Sequence, residues 1–128
     1  MQIISTQTAN HRHWPRPPKA IMAQDLHIPP QGAPICVAGL VILRQRPGTA
    51  KGVVFITLED ESGTVNVVLW SKMMEANRRS VMTARLMRVT GRLERAHGVV
   101  HVIAQTVEDI SYMLDDLARP LPSASQSE

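Results

Sequence analysis

The chain has 128 residues with 14 Lys and Arg against 11 Asp and Glu, and its net charge of +3 favours polyanionic partners only mildly. That length holds one domain of ordinary size, and Cys36, the single cysteine, excludes disulfide frameworks and Cys-rich zinc sites within the chain. No apolar leader follows the N-terminus and no window approaches the roughly 18 apolar residues that a membrane span requires, which leads us to expect a cytoplasmic chain with no membrane contact.

Pro15, Pro17, Pro18, Pro29, Pro30 and Pro34 resist helix interiors and central strands, so residues 1–34 read as an irregular arm. Within it, Ala20, Ile21, Met22, Ala23 and Leu26 are compatible with a turn or two of helix over 19–26. Residues 35–43 are continuously apolar and rich in β-branched side chains, the pattern of a buried strand. A basic loop follows, from Arg44 to Gly52, in which Pro47 and Gly48 let the chain turn. Residues 53–59 form a second strand, Glu61-Ser62-Gly63 a tight connection, and residues 64–70 a third strand paired with the second as a hairpin. Ser71 is placed to cap a helix over 72–81, which holds neither Gly nor Pro.

Over residues 85–95, Met87, Val89, Gly91 and Leu93 alternate with polar and charged neighbours, the signature of a half-buried strand. Ala96-His97-Gly98 turns the chain into a last strand over 99–107. A short amphipathic helix over 109–117 gathers Ile110, Met113, Leu114 and Leu117 on one side, and the Ser-rich tail from Pro120 to Glu128 is expected to be disordered. The division is therefore an arm at 1–34, a folded unit at 35–111, and a helix with tail at 112–128.

Three strands, a helix and two strands is the order of an all-β, five-stranded OB-fold Greek-key barrel, whose second and third strands and the loops after strands one and four bind oligonucleotides. Parity along the second strand separates Val54, Ile56, Leu58 and Asp60 from Val53, Phe55, Thr57 and Glu59. The aliphatic set makes the better core, which leaves Phe55 on the outer face, where stacking on a base contributes about 1–3 kcal/mol. In the third strand the same parity puts Val65, Val67 and Leu69 inside and Asn66, Val68 and Trp70 outside, with Asn66 placed for a base edge beside Phe55 and Trp70 read as packing on the helix. Arg44, Gln45, Arg46 and Lys51 lie in the loop after strand one, within reach of phosphates; Arg92, Arg95 and His97 flank the loop after strand four. Glu59-Asp60-Glu61 reads as a solvated turn, and His11 and His13 lack further ligands, so neither metal nor cofactor is expected.

Several strings resemble the C-terminal OB domain of bacterial error-prone DNA polymerases of the C family. They are the run from Val37 to Val53, which contains Arg44-Gln45-Arg46-Pro47-Gly48-Thr49-Ala50, then Phe55 to Gly63, Asn66 to Trp70, Val89 to Leu93 and Gly98 to Val102. The likeness covers residues 32–117. Phe55, the acidic turn with Gly63 and the amide of Asn66 are also similar to the anticodon-binding OB domain of class II aminoacyl-tRNA synthetases, where the matching aromatic and amide read bases. The resemblance implies binding of single-stranded DNA, with RNA as the alternative, accessory to replication and translesion repair. Polymerase or repair proteins are the implied partners, and a chain of this length has no room for the catalytic polymerase domains. A protein-docking OB module in a mutagenic repair assembly is the second reading, and a gene fragment without independent role the third.

Overall fold

Segments whose apolar residues recur at every second position can satisfy their backbone only by pairing with one another, and in this chain the pairing closes on itself. The computed structural model describes residues 19–46 and 52–118. Expectations that concern residues 1–18 with His11 and His13, Pro47 to Lys51, and the tail from 119 onward lie outside the described residues. Five strands, β1 (Pro34–Gln45), β2 (Val54–Asp60), β3 (Gly63–Leu69), β4 (Leu86–Ala96) and β5 (Val99–Asp109), form a closed barrel in the order β1-β2-β3-β5-β4. All neighbours are antiparallel except β3 and β5, which run parallel through Asn66↔His101, Val67↔Val102 and Val68↔Ile103.

The expected parity holds on β2 and β3: Val54, Ile56 and Leu58 face inward with Val65, Val67 and Leu69. They meet Ile35, Val37, Met87, Val89, Leu93 and Val102 in one apolar core that, among the described residues, contains no aromatic side chain. Different pieces close the two ends of the β2–β3 ladder. At the Val54↔Leu69 end, Met74, Val81 and Ala84 from the helical segment enter the core. Leu26 enters it from the arm, whose short 3-10 turn, Ala23–Asp25, lies beside the β2–β3 turn.

Asp60 ties that turn to the arm. Its Oδ1 accepts hydrogen bonds from the Ser62 backbone (2.7 Å), the Ser62 hydroxyl (2.7 Å) and the Gly63 backbone (3.0 Å), and its Oδ2 accepts one from the Ala23 backbone (2.8 Å). Burial works against the charge, yet these donors together hold the Asp60 carboxyl below the usual carboxylate range. Only Glu59 and Glu61 of the acidic run are solvated; Asp60 is a clamp. Among the described residues no group of His, Cys, Asp and Glu could hold a metal ion, and no helix is long and apolar enough to cross a membrane.

Closing a barrel demands bends, and two glycines sit where the strands approach most closely. A Cβ on Gly39 would lie 2.7 Å from the Glu59 carbonyl oxygen, at the point where β1 passes from pairing with β4 to pairing with β2. A Cβ on Gly91 would lie 2.0 Å from the Ile103 carbonyl oxygen, beside the register shift that coils β4 against β5. His97 and Gly98, with φ of 54° and 76°, make the two-residue turn between those strands, as a type I′ hairpin requires.

Several expectations are corrected. The strand expected over 35–43 extends to Gln45, and it is buried only as far as Gly39: Leu40 shares the exposed side of its partner Glu59, and the register shift between Val41 and Leu43 leaves Ile42 and Leu43 exposed as well. Arg44 and Gln45 accordingly belong to β1 rather than to a loop. The single helix over 72–81 is two short ones, α1 (Ser71–Ala76) and α2 (Arg78–Thr83). Asn77 breaks it, its side-chain amide donating to the Met73 carbonyl (2.9 Å) that its own backbone N–H also uses. Ser71 is the first helical residue, and Trp70 occupies the cap position without a side-chain cap. Trp70, expected against the helix, is 55% exposed. The last helix, α3 (Tyr112–Ala118), starts later than expected because β5 continues to Asp109, and Ser111 pins the junction by accepting the Arg85 and Leu86 backbone N–H groups.

Replacing Asp60 by Ala leaves its donors unpaired and should lower stability by about 1–3 kcal/mol in urea unfolding. Because the folded carboxyl titrates below its unfolded value, this contribution is complete above pH of about 4. It is lost as pH falls through the lower, folded value, so the gap between wild type and variant should narrow in acid. Gly91→Ala should lower stability by about 1–3 kcal/mol through the clash with the Ile103 backbone, read as a lower thermal midpoint.

Candidate nucleic-acid interface

The outward parity of the strands composes a surface in two cross-strand rows. One row runs Gln45, Phe55, Val68, Ile103, Arg92 across β1, β2, β3, β5 and β4; the next runs Leu43, Thr57, Asn66, His101, Glu94. Val53, Val68 and Ile103 bury one another on this outer face, and Phe55 packs half-buried against them. The aromatic ring is therefore held by an apolar patch that is separate from the barrel core. Trp70, two positions beyond Val68 on the same parity, adds an exposed indole at the helix end.

The second row is polar. Asn66 is exposed opposite the half-buried Thr57, so its direct neighbour is Thr57, while Phe55 faces Val68. His101, half-buried, lies on the other side of Asn66 and was not among the residues picked out by sequence, nor was Ile103. The only signal for either was their shared alternate position in the strand. Val68, expected on the outer side, lies there 6% exposed and supports Phe55.

Charge is distributed unevenly over this surface. Arg92 donates to Glu94 at 3.0 Å, both side chains remaining almost half exposed. Arg95 reaches away from the face, donating to the backbone carbonyls of Leu26 (2.9 Å) and Pro29 (2.6 Å), while Gln31 accepts its backbone N–H. It straps the arm to the barrel. Arg44 shares the inward parity of Ile56 and donates through Nε to the Val81 carbonyl (2.6 Å) and through an Nη to that of Ala84, at the end of α2. Arg46 is exposed, and His97 is exposed at the β4–β5 turn. Lys51 lies outside the described residues.

On the flank formed by the far ends of β4 and β5, Arg88 and Glu108 make a two-pronged ion pair at 2.7 and 3.2 Å. The guanidinium hydrogen bonds hold Glu108 below the usual carboxylate range and raise Arg88. This flank is thereby neutralised. Burial pushes the thiol of the nearby, buried Cys36 up.

Residues 35–110 match the family model for the OB-fold nucleic acid binding domain of the tRNA anticodon type. The chain is 60% identical over 90 residues, 70% of its length, to the error-prone DNA polymerase of Ruegeria pomeroyi, and 48% identical over 99 residues, 77% of its length, to error-prone DNA polymerase 1 of Rhizobium meliloti. It spans only 8% and 9% of those two relatives. Among solved structures, asparaginyl-tRNA synthetase from Pyrococcus horikoshii superposes with a TM-score of 0.61 at 22% identity, covering 73% of this chain and 22% of that one, a likeness of fold. The chain belongs to the OB-fold nucleic acid binding domain family, in a form similar to that carried by error-prone DNA polymerases.

Proposed function

We propose that this domain holds single-stranded DNA across the outer face of β2, β3 and β5, in the service of error-prone replication or repair. The observation that carries this reading is the position of Phe55, half-buried on the outer face and buttressed by Val53, Val68 and Ile103. A chain with one Phe, whose core among the described residues is packed by Val, Ile, Leu, Ala and Met, has no packing need for an aromatic there. Phe55 and Trp70 stack on bases; Thr57, Asn66 and His101 make polar contacts with base edges. Gln45 and Arg46 contact phosphates at one end of the face, and Arg92 and His97 contribute at the other; Lys51, outside the described residues, is assigned a phosphate contact from its sequence neighbourhood alone. Val68 and Arg95 act by positioning their neighbours, and Arg44 is anchored on the α2 carbonyls. The names of the similar polymerases favour DNA over RNA. Residues 35–111 are the binding unit, with 1–34 and 112–128 as appendages.

A second reading, docking of a replication or repair protein, is favoured by the exposed Leu40, Ile42 and Leu43 on β1, an aliphatic run that a nucleic acid does not require. Capture of a purified partner that survives Phe55→Ala and fails in Leu43→Asp would establish it.

Titration of a labelled single-stranded oligonucleotide should give affinity that falls as salt rises, and salt-insensitive or undetectable binding would exclude the leading reading. Phe55→Ala should weaken binding by about 1–3 kcal/mol, roughly 5-fold to 150-fold, with the barrel still folded by circular dichroism. In a Trp14→Phe background, Trp70 is the remaining indole. Its fluorescence should be quenched as the oligonucleotide binds, and unchanged emission at saturation would remove Trp70 from the interface.

A further inference from the structure

At the helix end of the barrel a groove of about 260 Å³ opens between the last residues of β1 and α2, lined by Arg44, Gln45, Arg46, Val54, Arg78 and Met82. Every charged side chain in that lining is an arginine. Three guanidinium groups around one concavity repel one another, and the field they sum to there attracts an anion. Arg44 lines the groove and is fixed in advance, because the terminal carbonyls of α2 at Val81 and Ala84 accept from Nε and one Nη and leave the other Nη without either of those partners. Arg78 has one competing partner, Glu75 at 3.4 Å, and both side chains are more than half exposed, so that pair offers little resistance to a phosphate. Among the described residues no carboxylate pairs with Arg46. Val54 and Met82 supply an apolar wall.

The groove is continuous with the outer face through Gln45, which lines the groove and is the cross-strand neighbour of Phe55. We propose that it is a phosphate site in which Arg44 is the fixed donor, Arg46 and Arg78 close from either side, and Met82 lies against the sugar. The inference rests on the reading of the outer face as a single-strand binding surface. It extends the path of the strand off the sheet and onto α2, whose Arg78 and Met82 had no assigned role. An arginine fork suits the geometry of phosphate oxygens, and the phosphate belongs either to an internal phosphodiester or to a strand terminus.

The test compares the full-length wild type with Arg46→Gln, Arg78→Gln and Arg79→Gln. All three side chains are exposed, so folding is preserved, and Arg79 shares α2 with Arg78 without lining the groove. Binding of a labelled single-stranded oligonucleotide is measured over a series of salt concentrations, with the strand unphosphorylated, 5′-phosphorylated or 3′-phosphorylated. Arg46→Gln and Arg78→Gln should each reduce the slope of log K against log salt by about 0.7, the value for one lost contact to a single strand, while Arg79→Gln leaves it unchanged. A terminal source appears as tighter binding of one phosphorylated strand that Arg78→Gln abolishes; an internal source appears as the same slope change with no effect of phosphorylation. Equal slopes for all four proteins, or an Arg79→Gln effect as large as that of Arg78→Gln, would overturn the groove. Wild-type binding that needs Phe55 and Arg46 but ignores Arg78 overturns the groove alone, whereas absence of wild-type binding overturns the outer face with it.

Discussion

The closed barrel depends on the contact of β4 and β5 at Gly91. There the Ile103 carbonyl oxygen occupies the place where any other residue would carry its Cβ. That approach lets β4 coil over β5 past the register shift at Thr90/Gly91, so that β5 can leave β4 and lie parallel to β3 while β4 returns to β1. The consequence reaches the functional face directly. Ile103, whose backbone closes on Gly91, turns its side chain outward against Val68, and the pair with Val53 forms the seat of Phe55. Closure of the barrel and support of the aromatic ring are two results of one backbone contact.

The arginines illustrate how a basic composition is divided between architecture and recognition. Arg44 satisfies carbonyls at the end of α2, Arg95 satisfies carbonyls of the arm, and Arg88 is neutralised by Glu108. Each satisfies backbone or carboxylate groups that would otherwise need water or another partner. Arg46 and Arg78, both exposed, line the groove that adjoins one end of the outer face. Net charge says little about such a division, because a modest excess of +3 is compatible with a locally strong field.

Much of this was legible in the chain. Period-two alternation in β2 and β3 placed Ile56, Leu58, Val65 and Val67 inside and Phe55 and Asn66 outside, because a half-buried strand has only two faces. The element order gave the barrel. What stayed hidden depends on partners distant in sequence. The parallel pairing of β3 with β5 brought His101 and Ile103 to the face, and the register shift between Val41 and Leu43 left Ile42 and Leu43 exposed in a run whose composition reads as buried. The anchoring of Arg44 and Arg95 was hidden because nothing nearby in sequence could reveal the carbonyls, some 37 and 69 residues away, that accept from them. Asn77 broke the helix through a local side-chain bond that propensity alone underweights.

The central claim is that the outer face built on Phe55, and not the neutralised flank at Arg88 and Glu108, receives a single strand. Amide NMR of the isotopically labelled chain, titrated with a short single-stranded DNA, tests it residue by residue. The account predicts shifts concentrated at Phe55, Thr57, Asn66, Val68, His101 and Ile103, with Arg88, Val107 and Glu108 unmoved. Shifts confined to the Arg88–Glu108 flank, or none at saturating DNA, would contradict it.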